Sequence, residues 1–216
     1  MSSERIVVVG AGDHGRGVLE IIRRLQSGGE RIEVAGFVDD STSAERPAGV
    51  EILGNVDWLV RNLPRLDAAV VLAIADPTVK RELSTRLDLA GARYATILHP
   101  SSEIAPSATI APGSIVGAGV IIIYEASVGR HVTINLNATI GHHVRIGDYS
   151  TIAPGANILG KVSIGESCQV NANATILPSI QIGDGAVVGA GSLVVANVPP
   201  GVTMFGNPAR PLPKLR

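Results

Sequence analysis

Residues 133–146 read TINLNATIGHHVRI, and Ile134, Ile140 and Ile146 stand six residues apart. A helix repeats its apolar face every three to four residues and a strand every two, so a strict six belongs to neither alone. Followed outward, the period does not break. Leu98, Ile104, Ile110, Val116, Ile122 and Val128 precede it; Ile152, Ile158, Ile164, Val170, Ile176, Ile182, Val188 and Val194 follow. Four residues after each comes a side chain that is usually small, such as Ser102, Ala108, Ser114 or Ala138. That residue and the next aliphatic one are two apart, so they share one face of a short strand. Turn formers fill the remaining places, as in APG, GAG, NLN, GDY and NAN, and supply corners. A strand and a corner every six residues make a prism, and three sides make a coil of roughly 18 residues that buries its face only by stacking on its neighbours. Parallel strands stack about 4.8 Å apart, so five-odd coils rise about 25 Å.

The residues before this repeat have another grammar. Arg5–Gly10 (RIVVVG) is a strand by its β-branched run. Residues 16–27 place Val18, Leu19, Ile22 and Leu25 at helical spacing, and Gly28-Gly29 ends the helix. A second strand is expected over 32–39, a short helix over 56–62, and a strand buried on both faces over 68–75 (AAVVLAIA). Pro77 opens a helix that runs to Ala90, and Gly91 closes it. The reading is a small α/β domain over 1–97 with a parallel sheet, followed by a β-helix over 98–216.

Composition narrows the function. A net charge of -1 argues against a nucleic-acid partner. The one cysteine, Cys168, excludes an internal disulfide and a cysteine metal cluster. No apolar run approaches a membrane span, and MSSERIVVVG is too short of apolar residues for a secretory signal, so a cytoplasmic protein is expected.

His142 and His143 are the third and fourth residues of their hexad, so they stand at a corner and not in the core. One coil earlier the same places hold Tyr124 and Glu125; one coil later, Gly160 and Lys161. Glu125 can therefore approach His143, and Gly160 leaves open space beside His142. An imidazole with a carboxylate near it can serve as a general base. Cys168 falls at an interior place and reads as packing, which favours direct transfer over a covalent intermediate. His131 and His142 are eleven apart, off the coil period, so no metal site is expected. Asn137 and Asn173 read as corner residues, because asparagine tolerates left-handed backbone. Near the start, Gly10-x-Gly12-x-x-Gly15 lies between a strand and a helix, where amides and a helix N-terminus can meet phosphates. Asp39 and Asp40 follow the second strand, where an acidic residue can bind ribose hydroxyls.

The repeat resembles the hexapeptide-repeat acyltransferases, which implies a left-handed prism, a homotrimer and active sites between neighbouring prisms. The whole chain resembles a narrower family, the bacterial sugar acyltransferases with a small N-terminal α/β domain. The motifs are VVVGAGDHGRGVLE at 7–20, GFVDD at 36–40, HPS at 99–101, NLNATIGHHVRIGDYSTIAPGA at 135–156 and GNPAR at 206–210. The resemblance implies acetyl transfer from acetyl-CoA to the amino group of a nucleotide-linked amino-sugar in glycan biosynthesis, with His142 as base. It implies a place near the reacting groups for Asn135. The family usually has an acidic residue where His143 stands, and some members have a second histidine where Thr151 stands. It further implies that coenzyme A lies along Gly160, Gly189, Ala190 and Gly191, with Gly206, Pro208 and Arg210 at its nucleotide end. Gly10, Gly12, His14, Gly15, Asp39 and Asp40 would then hold the nucleotide-sugar. Sugar O-acetylation and a non-catalytic β-helix binding protein are the alternatives.

Overall fold

The computed structural model describes residues 3–41 and 49–212. The chain divides into two compact units, Met1–Pro100 and Ser101–Arg216.

The first unit is a four-stranded parallel sheet with helices. Its elements are β1 (Glu4–Val9), α1 (Asp13–Ser27), β2 (Ile32–Val38), β3 (Ile52–Gly54), α2 (Val56–Asn62), β4 (Ala69–Leu72) and α3 (Pro77–Leu89). The sheet order is β3-β2-β1-β4. β4 is buried at every residue, as its unbroken apolar run requires. Val18, Leu19, Ile22 and Leu25 of α1 face the core. The helix begins at Asp13, three residues before the apolar spacing becomes visible, because Gly12-Asp13-His14-Gly15 reads as loop. The Asn55 side chain caps α2 by accepting from Trp58 N at 2.9 Å. Asp76 does the same for α3, and Pro77 sits where its missing N–H is harmless. β3 has no counterpart in the sequence pattern: three half-buried residues carry no usable periodicity.

The second unit is the β-helix. Each aliphatic residue of the hexad from Ile104 onward is the second residue of a two-residue strand. Three parallel sheets form the faces. The first runs through Thr109–Ile110, Ser127–Val128, Arg145–Ile146, Ser163–Ile164 and Gln181–Ile182. The second runs through Ile115–Val116, Thr133–Ile134, Thr151–Ile152, Gln169–Val170 and Val187–Val188, and the third through Glu103–Ile104, Ile121–Ile122, Thr139–Ile140, Asn157–Ile158, Thr175–Ile176 and Leu193–Val194. Ile140 pairs with Ile122 below and Ile158 above, which fixes the coil at the expected length. Aliphatic and small residues fill the interior: Ile134, Ala138, Ile140, Val144 and Ile146 are at most 3% exposed. Ser150 lies in that interior and is satisfied twice, donating to Gly165 O at 2.8 Å and accepting from Cys168 N at 2.9 Å.

The fourth residue of most hexads has left-handed backbone, including Glu125 (φ 57°), Asn137 (56°), His143 (58°), Tyr149 (64°) and Lys161 (63°). Glycine takes the same place at 119, 155, 185 and 191. An L-residue there gives up roughly 1–2 kcal/mol, which the coil offsets by pairing each corner amide: Lys161 N donates to His142 O at 2.8 Å and Asn137 N to Ala118 O at 2.8 Å. The last strands, Thr203–Gly206 and Ala209–Pro211, form an antiparallel hairpin whose turn is Asn207-Pro208. Thr203–Gly206 pairs with Val187–Val188, so GNPAR seals the final coil.

Candidate active site

The corner after the third face carries the histidines. His143 Nε2 lies 2.6 Å from Glu125 Oε2, one coil earlier. His142 Nδ1 lies 3.0 Å from His143 Nδ1. The two rings are nearly perpendicular, at 89° with centroids 5.2 Å apart. Tyr124 stacks on His142 at 5.5 Å and 9°, and meets His143 edge-on. On its other side His142 covers Gly160: a Cβ there would strike His142 Nε2 and lie 2.6 Å from Cε1. The space left by Gly160 is therefore occupied by the ring itself, which is held between Tyr124 and the next coil.

This geometry selects a tautomer. A carboxylate accepts only, so neutral His143 donates from Nε2 to Glu125 and has its lone pair at Nδ1. That lone pair accepts from His142 Nδ1–H. The remaining nitrogen, His142 Nε2, carries the lone pair of a base. His142 is half-buried and His143 and Glu125 are exposed, so the line runs from a sheltered nitrogen to solvent.

The other expected residues fall elsewhere. Asn135 stands at the preceding corner, between the second and third faces. Its Nδ2 donates to Ile152 O at 3.1 Å, as Asn171 Nδ2 does to Val188 O at 2.9 Å two coils on. Gly189, Ala190 and Gly191 share that corner with Asn135. Gly189 packs beneath Phe205, and Gly206 N donates to Ser192 Oγ at 3.1 Å. Pro208 follows in the hairpin turn, and Arg210 is exposed with Nη1 donating to Ala209 O at 2.8 Å. Within one prism the expected residues thus divide between two corners, with the third face between them. Cys168 is fully buried, donates to Gly183 O at 3.1 Å, and has its thiol pKa pushed up by burial. His131 is buried and stacks on Tyr149 at a third corner. Among the described residues no group of side chains could hold a metal ion, and no helix is long and apolar enough to cross a membrane.

In the first unit the three glycines have separate reasons. Gly10 has φ 103°, and a Cβ there would meet Ala73 O. A Cβ on Gly15 would strike Gly10 O, so the helix packs tightly on the strand. Gly12 faces open space, as a backbone approached by a ligand must. Asp39 accepts from Ala11 N at 2.6 Å and Ser41 N at 2.7 Å, and Asp40 accepts from Val56 N at 2.8 Å. Both carboxylates therefore hold loops in place. The strand order reverses between β1 and β4, and ligands bind open α/β sheets at such a reversal. His14 and Lys80 lie in the first turns of the helices that follow those two strands. His14 Nε2 is buried without a partner, and burial, then the charge of Lys80, lowers its pKa. Lys80 is fully buried and its pKa is lowered to about 8 by desolvation. Lys80 belongs to no motif, so the sequence does not single it out. Its spacing with Leu83, Ser84 and Leu87, all buried, marks it as part of the inner face of α3. The coil length places Tyr124 below His142, but its stacking on the ring is not legible in the sequence.

The stacked coils of hexads are the fold that the resemblance to the hexapeptide-repeat acyltransferases implies. Residues 5–87 match the family described as the PglD N-terminal domain, and residues 125–160 and 161–196 match the bacterial transferase hexapeptide family. GDP-perosamine N-acetyltransferase of Escherichia coli O157:H7 is 32% identical over 156 residues, covering 71% of this chain and 69% of that protein. A histidine-to-asparagine variant of perosamine N-acetyltransferase from Caulobacter crescentus, solved with CoA and GDP-perosamine, has TM-score 0.89 at 29% identity and covers 97% of each chain. The acetyltransferase domain of PglB from Neisseria gonorrhoeae FA1090, solved with acetyl coenzyme A, has TM-score 0.89 at 29% identity, covering 98% of this chain and 100% of that one. The chain belongs to the family of sugar N-acetyltransferases that join a PglD-type N-terminal domain to a left-handed hexapeptide β-helix.

Proposed function

We propose that the chain transfers acetyl from acetyl-CoA to the amino group of a nucleotide-linked amino-sugar, with His142 Nε2 as general base. The observation that carries this is the line Glu125–His143–His142, which leaves one basic nitrogen at a corner of the prism. The relatives solved with CoA and GDP-perosamine, over nearly the full chain, support the two substrates. The amine nitrogen attacks the thioester carbonyl as His142 takes its proton, and a backbone N–H near Gly160 holds the developing oxyanion. The buried, unreactive Cys168 fits direct attack.

The N-terminal unit takes the nucleotide and its phosphates at the loop of Gly10, Gly12 and Gly15, with His14. The β-helix takes coenzyme A along Gly189–Gly191 and Gly206–Arg210. The division of these residues and Asn135 from His142 and Gly160 is accounted for by a homotrimer, in which one prism's corner faces its neighbour's. Ile121, Ile123, Tyr124 and Leu136 are large apolar side chains exposed on the third face and its two corners, which suits such a contact.

The test is a panel of UDP-, dTDP- and GDP-linked amino-sugars with acetyl-CoA, read by thiol release and product mass. One of them gains an acetyl group on nitrogen. His142→Ala loses most turnover, on the order of 10²–10⁴-fold, with the assembly intact by light scattering. Wild-type turnover in that variant would overturn the assignment, and acetylation at oxygen alone would replace the amine as acceptor.

A further inference from the structure

We infer that Glu125 and His143 form a proton relay, through which His142 serves first as base and then as acid in one turnover. This rests on the acetyl-transfer reading and deepens it.

An orienting carboxylate needs only one contact with the base. Here an imidazole stands between them, touching His142 with Nδ1 and the carboxylate with Nε2. Imidazole is the side chain that accepts a proton at one nitrogen while releasing another from the second. Both contacts are at hydrogen-bond distance, 3.0 Å and 2.6 Å. The line also ends in water, since the Glu125 side chain is 60% exposed. Solvent favours the charged form of a carboxylate, so an exposed one suits pairing with an imidazolium that has taken the relayed proton. The other titratable group below this corner is Tyr124, and Lys161 stands one coil above His143. Lys161 is cationic and accepts no proton, so the carboxylate lies at the open end of the line.

The proton balance closes. In the first step the amine lone pair forms the C–N bond as the carbonyl π pair moves onto oxygen, and the amine's proton passes to His142 Nε2. The proton on His142 Nδ1 moves to His143 Nδ1, and the imidazolium so formed keeps its Nε2–H on the Glu125 carboxylate. The positive charge of the attacking nitrogen is thereby carried to His143, where the Glu125 carboxylate pairs with it. In the second step the C–S bond breaks with its electron pair on sulfur. The oxyanion re-forms the carbonyl, and the thiolate takes the proton from His142 Nε2 while His143 Nδ1 returns one to His142 Nδ1. Coenzyme A leaves as the thiol, and each group regains its starting tautomer. Glu125 and His143 are positioning residues that act through His142.

The experiment is a single-turnover rate measured in mixtures of H₂O and D₂O, so that chemistry is read and not product release. It compares wild type with Glu125→Gln and His143→Asn, and asparagine suits the left-handed backbone at 143. The wild-type rate should bend with deuterium fraction, as several protons in flight require. Each variant should fall about 10–100-fold in rate, the loss usual when a group behind a reacting ligand is removed. Its plot should straighten, and KM for acetyl-CoA should stay within about twofold. A straight wild-type plot, or either variant at the wild-type rate, overturns the relay. If His142→Ala is inactive in the same assay, that failure leaves His142 as base; if His142→Ala is fully active, the acetyl-transfer reading falls with it.

Discussion

At the scale of single residues, the site depends on what is missing at position 160. Tyr124 covers one side of the His142 ring and the Gly160 backbone the other. A methyl group at 160 would strike Nε2, the atom that must meet the substrate. Gly160 does not have a left-handed φ, so Gly160→Ala strains only the ring. The ring must swing away, and it takes the 3.0 Å contact to His143 with it. Displacement of a reacting group by about 1 Å removes on the order of 10²-fold in rate. The expected outcome is such a fall in kcat with little change in melting temperature, checked by steady-state kinetics and calorimetry. A variant with unchanged kcat would show that the ring has another resting place. The height of each corner residue was legible in the hexad, because a strict repeat fixes which residues stack. The direction of the rings was not, because a repeat length carries no rotamer. Open space was expected beside His142, and the structure fills it with the imidazole.

At the scale of elements, the two halves differ in how much they disclose. The hexads were readable residue by residue, since a two-residue strand needs one inward aliphatic place and shows it. α1 began three residues early and β3 had no pattern to read, because short or glycine-broken segments take their structure from tertiary contacts. The glycine motif was legible, but Lys80 stands outside it, although the spacing of α3 turns that side chain inward. The lysine makes a prediction of stability. Its pKa in the fold, about 8, lies below the 10.5 of a solvated lysine. Below about pH 8 both the folded and the unfolded chain bind the proton, and the fold carries the whole net cost that the shift measures. Between about 8 and 10.5 the unfolded chain still binds the proton and the folded chain does not, so stability rises with pH. A tenfold change in proton affinity corresponds to about 1.4 kcal/mol, so the penalty is on the order of 3 kcal/mol. Lys80→Met keeps the length of the side chain without its charge. Its advantage over wild type in urea melts should be largest at pH 7 and shrink towards pH 10. A difference that stays constant across this range would mean that the lysine's charge is already compensated in the fold.

At the scale of the whole molecule, the residues assigned to one reaction occupy two corners of the prism. His142 and Gly160 stand on one side of the third face; Asn135 and Gly189–Gly191 stand on the other. Neither handedness nor assembly could be read from a period of six, and the resemblance supplied both. The division does, however, make the homotrimer testable by complementation. If each site takes its base from one copy and its coenzyme groove from the next, two inactive chains can repair each other. His142→Ala removes the base. Ala190→Glu sets an acidic side chain on the exposed second-to-third corner, against an anionic coenzyme. Each variant alone should be inactive, and both should fold, since neither position is in the core. When equal amounts are unfolded together and refolded, a site needs a sound His142 from one copy and a sound corner from its neighbour. Random assembly of a cyclic oligomer supplies that combination at about one site in four. Activity near a quarter of wild type is therefore expected in the mixture, and none when the folded variants are simply combined without exchange. A mixture that stays inactive would place both corners' functions within a single chain. Full activity in Ala190→Glu would instead remove that corner from the coenzyme groove.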